Sequence, residues 1–149
     1  MLPTRINLVT LGVADVGQSR AFYESLGFAA SGFESSDVAF FDMNGTVLGL
    51  YGQAALAEDA GVSEDGINDD GSRFRGTSLA INLASKSEVD DALAFAQSCG
   101  GRIVQPARDV FWGGYSGYFA DPDGHLWEIA YNPLMVLDEK GQMTLPPPA

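Results

Sequence analysis

Few side chains in this sequence can do chemistry, and the most telling is Glu128. It lies in Leu126-Trp127-Glu128-Ile129-Ala130-Tyr131, a lone carboxylate in an apolar run. Strand side chains change face at each residue, so Trp127, Ile129 and Tyr131 form one row and Leu126, Glu128 and Ala130 the other. The bulky row belongs beneath a helix, which leaves Glu128 looking the opposite way. A carboxylate among apolar neighbours tends toward a raised pKa, which suits a general base near neutral pH or an anchor for a cationic group. The blander reading is an acid satisfied by Tyr118, Ser78, Asn82 or water, because buried carboxylates are normally partnered. The residues leave both open. Tyr118 and Tyr115 are phenols able to orient a carbonyl or another phenol, and the candidate catalytic pair is Glu128 with Tyr118.

The other reactive residues read more plainly. His125 is the only histidine; it follows Gly124 of a tight turn and is expected to face solvent. Cys99 falls in the last turn of a helix as a small core residue. A single cysteine excludes an intrachain disulfide and a cysteine-based zinc cluster, and it fits a reducing compartment. Phe111, Trp112 and Tyr115 surround Gly113-Gly114, either as a packed loop or as an aromatic rim that stacks on a planar ligand. Arg73 and Arg75 are expected to balance Asp69 and Asp70.

Composition narrows the partners. The 149 residues include 8 Lys plus Arg and 20 Asp plus Glu, a formal net charge of −12. Phosphate backbones and anionic membranes are bound through basic surfaces, so neither nucleic acid nor membrane is an expected partner. At 46% hydrophobic and 19% charged the composition is that of a globular protein. No apolar run is long enough to cross a bilayer and no targeting segment is visible, so the expected location is cytoplasmic.

The elements that position these residues come twice. Ile6 to Val13 is β-rich, and Asp15 with Gln18 is spaced to cap a helix running to Leu26, stopped by Gly27. Leu79 to Leu83 is again a strand, Ser85 and Glu88 form a second capping box, and the helix carrying Val89, Leu93, Phe95 and Ala96 stops at Gly100-Gly101. Further strands are expected near Phe28 to Glu34 and Arg102 to Val110. Val38 to Gly45 leading into Thr46 to Tyr51 matches Tyr118 to Gly124 leading into His125 to Tyr131, with Ala39 and Gly49 as counterparts of Tyr118 and Glu128. A three-residue turn with a glycine bulge sets Asp121 against His125 and hence Tyr118 against Glu128; a two-residue turn would instead turn Phe119 to that face. The reading is an α+β fold of tandem βαβββ modules, about 5–52 and 76–133, within one domain of 1–149. Residues 53–75 form an acidic linker with one helical turn near Ala54 to Ala60. The tail, 134–149, adds no regular element and lies as an extended arm or loose.

This duplicated pattern, with Ser19-Arg20-Ala21-Phe22-Tyr23 running to Leu26-Gly27-Phe28 and Tyr118-Phe119-Ala120-Asp121-Pro122-Asp123-Gly124-His125-Leu126-Trp127-Glu128, resembles the vicinal oxygen chelate superfamily. That group includes glyoxalase I, bleomycin-resistance proteins and extradiol dioxygenases. Trp112-Gly113-Gly114-Tyr115-Ser116-Gly117-Tyr118 is similar to a bacterial subgroup whose members mostly lack a settled activity. The resemblance implies a U-shaped mixed sheet around a ligand cleft, and a homodimer. It also implies a divalent metal held by one side chain from each of four strands, at positions that here are Leu8, Gly49, Ser78 and Glu128. Only Glu128 matches, so the expectation is a site depleted of its metal ligands and no cofactor. The alternative is zinc, nickel or iron at Glu128 with ligands from elsewhere.

Two functions follow. The first is a metal-free binder of a small organic molecule, with Leu8, Thr10, Ser78, Asn82, Trp112, Tyr115, Tyr118 and Glu128 lining the site. The negative charge favours a cationic ligand, though weakly at physiological salt. The second is a lyase, isomerase or dioxygenase of the glyoxalase type, using a divalent metal or acid–base chemistry by Glu128 and Tyr118. Whether the chain is an enzyme stays open at this point.

Overall fold

The computed structural model describes residues 1–32, 35–64 and 73–148. The chain divides into two compact units, Met1–Arg73 and Phe74–Ala149.

The first unit contains β1 (Leu8–Val13), α1 (Val16–Ser25), β2 (Val38–Asp42), β3 (Val47–Gly52) and α2 (Gln53–Ala60). Its sheet has the order β1-β3-β2, with β1 parallel and β2 antiparallel to β3. The expected cap forms: Asp15 accepts from the Gln18 amide at 2.8 Å, satisfying one of the free donors at the start of α1. Gly27 ends the helix with φ +98, a conformation that favours glycine. Val16, Phe22 and Tyr23 of α1 are buried with Leu11, Val13, Ala39, Phe41, Leu48 and Leu50. The core face of the sheet is therefore the odd positions of β1 and β2 and the even positions of β3, as a period of two requires.

Three expectations change in this unit. The strand near Phe28 to Glu34 shrinks to one bridge, Ala30 to Phe41, beside a Ser31 amide donating to the Phe40 carbonyl at 2.7 Å. Phe28 turns into the core instead of running along the sheet: its ring stacks on Tyr23 at 5.8 Å and meets Phe41 edge-on at 6.2 Å. Phe33 and Glu34 lie outside the described residues. The helical turn near Ala54 to Ala60 is the eight-residue α2, which buries Ala57 and ends at Gly61 in the left-handed region. Leu56 lies over Gly12, where an added Cβ would come within 3.3 Å of Leu56 Cδ2. Finally, Phe40, not Ala39, stands opposite Gly49. The loop from Asp42 to Val47 is one residue shorter than that from Ala120 to Leu126, so counting by a constant offset misplaces β2 by one.

The second unit contains β4 (Ser78–Leu83), α3 (Lys86–Ser98), β5 (Arg102–Asp109), β6 (Tyr115–Ala120) and β7 (Leu126–Tyr131), with sheet order β4-β7-β6-β5. The expected cap forms: Ser85 Oγ accepts from the Glu88 amide, and Glu88 Oε2 reaches back to accept from the Ala84 amide at 2.9 Å and the Ser85 hydroxyl at 3.2 Å. Val89, Leu93 and Ala96 are buried, whereas Phe95, two residues from Leu93, points off that face and is exposed. The bulky row of β7 behaves as expected: Trp127 and Ile129 are buried, and Trp127 stacks on Phe119 with rings 6.3 Å apart. Gly117 is required by packing. A Cβ there would lie 2.7 Å from Leu93 Cδ1 and 2.8 Å from both the Ala107 nitrogen and the Gln105 oxygen. The tail forms a turn on Asp138, which accepts from the Lys140 and Gln142 amides, and a bridge between Leu137 and Met143. No helix among the described residues is long and apolar enough to cross a membrane.

Candidate functional site

The site is built by the β6–β7 hairpin. Gly124 takes φ +83, its amide donates to the Asp121 carbonyl at 3.0 Å, and the Asp121 amide donates to the His125 carbonyl at 3.0 Å. Buried Asp121 also accepts from the Asp123 and His125 amides, at 2.9 and 2.8 Å. This is the bulged turn, and it fixes the register: Tyr118 stands against Glu128 and Phe119 against Trp127. Phe119 therefore stays on the core side.

Across the face away from Trp127 and Phe119, one row reads Ala80, Glu128, Tyr118, Gln105. The Tyr118 hydroxyl donates to Glu128 Oε2 at 2.5 Å, and both side chains are half-buried. This hydrogen bond, with burial and the carboxylate charge adding to it, pushes the Tyr118 pKa up to about 12. The phenol is thus held as a donor at ordinary pH. Among the described residues Glu128 has no hydrogen-bond partner besides Tyr118, leaving one carboxylate oxygen to accept from a ligand. Ser78 and Asn82 share this face, one row to either side of Glu128, beside Leu126 and Ala130. The arrangement can hold a cationic or hydroxyl-bearing group, or take a proton from a bound carbon acid.

Tyr115 does not join that group. It stands three residues from Tyr118, on the opposite face, where its hydroxyl donates to Asp90 of α3 at 2.7 Å. That bond raises its pKa, with burial and the charges of Asp90 and Asp109 contributing. Lys86 pairs with Asp109 at 2.6 Å and lies 5.5 Å from the Tyr115 ring centre. Trp112 folds back over Gly114, where a Cβ would meet the indole at 1.9 Å, and Gly113 closes the turn with φ +93. The aromatic loop is a packed turn from which only Phe111 projects fully.

His125 is also engaged. The Arg75 guanidinium lies 3.0 Å from its Nδ1 and donates to the Asp123 carbonyl at 2.9 Å. Arg75 therefore fastens the start of the second unit onto the hairpin; Asp69 and Asp70, its expected partners, lie outside the described residues. A contact fifty positions apart has no local sequence signal.

In the first unit, Leu8 and Thr10 share a face with Gly49 and Phe40. A Cβ at Gly49 would lie 3.2 Å from Leu8 Cδ1 and 3.3 Å from Phe40 Cε1, so carbon fills that corner. The family's four metal-ligand positions thus offer a methyl group, no side chain, one hydroxyl and one carboxylate already hydrogen-bonded. A divalent ion bound through side chains asks for three or four oxygen, nitrogen or sulfur donors, and this set does not fit. Among the described residues no group of three or more His, Cys, Asp or Glu is placed to hold a metal. A separate cavity of about 410 Å³ lies in the first unit against Asp15, Val16, Asp37, Tyr51 and Ala55, and none of the expected ligand residues lines it.

Residues 5–129 match the Glyoxalase/Bleomycin resistance protein/Dioxygenase superfamily, and the chain belongs to it. A glyoxalase-related enzyme from Fulvimarina pelagi is similar at 35% identity, with 96% of this chain and 99% of that chain covered and a TM-score of 0.84. A glyoxalase/bleomycin resistance protein/dioxygenase from Nocardioides is similar at 26% identity over 88% of this chain and 85% of that one, with a TM-score of 0.73. A lactoylglutathione lyase from Agrobacterium tumefaciens shares the fold at 20% identity, covering 89% and 97%, with a TM-score of 0.66.

Proposed function

We propose that this chain is a glyoxalase-like protein that binds a small organic molecule through Glu128 and Tyr118 without the family metal. The observation that carries the reading is the Tyr118–Glu128 hydrogen bond, which leaves one acceptor oxygen on a face with no matching metal ligands. Tyr118 orients the carboxylate, and the carboxylate receives the donor group of the ligand. The test is a thermal-shift screen of small cationic and hydroxylated compounds, repeated with Glu128→Gln. Ligands that raise the Tm of the parent protein by several degrees are expected to lose most of that shift in the variant. Equal shifts in both proteins would overturn the assignment of Glu128.

A second reading is a lyase, isomerase or dioxygenase, favoured by the similarity to a protein described as a glyoxalase-related enzyme. Stoichiometric zinc, nickel or iron in protein purified without chelator or affinity tag would select it. A homodimer belongs to the same proposal and is read by sedimentation velocity, as does a cytoplasmic location.

A further inference from the structure

The basic residues of this acidic chain are mostly occupied. Arg20 pairs with Glu24, Lys86 with Asp109, Arg75 holds the hairpin, and Arg5 reaches Asn7. Arg102 and Arg108 differ: both are exposed, and among the described residues neither has a hydrogen-bond or ion-pair partner. Both lie on β5, and their register puts them on one face. Arg102 stands against Ala120, Gln105 against Tyr118, and Arg108 against Ser116, with shifts in register on either side of Gln105. An undisturbed alternation would place 102 and 105 on opposite faces; the bulges bring both to the same one. The two arginines therefore stand on either side of Tyr118 along the strand direction, each offset by two residues' rise, about 6–7 Å, on the strand beside Tyr118 and two strands from Glu128.

Edge strands often carry charge to prevent pairing with another chain. Here Pro106 and two register shifts already protect this edge, and aspartate or glutamate would do so equally in a chain of this composition. What acids cannot do is attract an anion against a net charge of −12. Arginine, planar and permanently charged, grips carboxylates through paired hydrogen bonds.

We propose that Arg102 and Arg108 are the anion-binding positions of the Tyr118–Glu128 site. The ligand class is then an organic acid that also carries an ammonium, amide or hydroxyl donor, the long arginine side chains reaching over β6 to meet its carboxylate. The donor rests on Glu128 and the carboxylate on arginine. This inference rests on the reading of Glu128 as a ligand anchor and narrows it from cations to bifunctional acids.

The experiment is a titration of isotope-labelled protein, followed by amide NMR, with 5-aminopentanoate, pentylamine and pentanoate. The amino acid is expected to shift signals of β5, β6 and β7 and to bind at least tenfold more tightly than pentylamine. Arg102→Ala combined with Arg108→Ala, both at exposed positions, should bring the amino acid down to the pentylamine level while leaving pentylamine unchanged. Glu128→Gln should weaken both amines. If the carboxylate confers no advantage, or the double variant retains it, the arginine assignment fails while the anchor stands. If none of the three compounds moves β6 or β7 signals, the anchor reading fails as well.

Discussion

The two units carry equivalent rows with opposite chemistry. In the first, Thr10, Gly49 and Phe40 stand side by side, and the glycine is overlaid by Leu8 and the Phe40 ring. In the second, Ala80, Glu128 and Tyr118 occupy the same order, with a hydrogen-bonded acid at the centre. One repeat has filled its corner with carbon, and the other has kept a polar pair. Duplication fixes the backbone twice, but the chemistry at a given register position depends on what stands next to it across the strands.

The sharpest way to break this comparison is to add a methyl group to one glycine in each sheet. Gly117→Ala should cost about 1–3 kcal/mol, because two of the atoms in its way belong to the β5 backbone and cannot rotate aside. Gly49→Ala should cost less, since it meets only the ends of Leu8 and Phe40. Urea unfolding of both variants checks the order, and a larger loss at Gly49 would contradict it.

The helix caps test whether the units are alike where the sequence repeats. Asp15→Ala and Ser85→Ala should each lower stability by about 1 kcal/mol. The Ser85 loss should be slightly larger, since it also frees Glu88 from the capping box. Chemical denaturation with matched serine or threonine replacements at position 15 would separate the cap from the loss of charge.

The smallest effect is a pH effect confined to the second unit. Tyr118 has a pKa raised from 10.0 to about 12, so the folded state holds its proton more tightly than the unfolded chain. Its contribution is fully present below pH 10 and is lost as pH rises toward 12. Tyr118→Phe should remove that alkaline loss, along with one late-ionising phenol in the absorbance titration. Identical alkaline profiles in parent and variant would remove Tyr118 from the account.

Much of this was legible in the sequence because it is local. Asp15 with Gln18 and Ser85 with Glu88 are cap spacings set within one helical turn, and Asp121 to His125 dictates the register that joins Tyr118 to Glu128. What escaped was non-local or irregular. The bulges of β5, which bring Arg102, Gln105 and Arg108 to one face, fall where its backbone closes on Gly117 of the neighbouring strand. Phe28 falls where the repeat calls for a strand, yet its ring packs against Tyr23 and Phe41. Residue type alone groups Tyr115 with Tyr118, although three residues along a strand put them on opposite faces.

Both tryptophans of the chain, Trp112 and Trp127, belong to the second unit. One lies over a glycine in a turn and remains partly exposed; the other, next to Glu128 on β7, is buried and stacked on Phe119. Intrinsic fluorescence excited at the indole band is consequently a private optical channel for that half, and the half ending at Arg73 is dark in it. Comparing emission with backbone circular dichroism during denaturation would reveal whether the halves melt together, with no label attached.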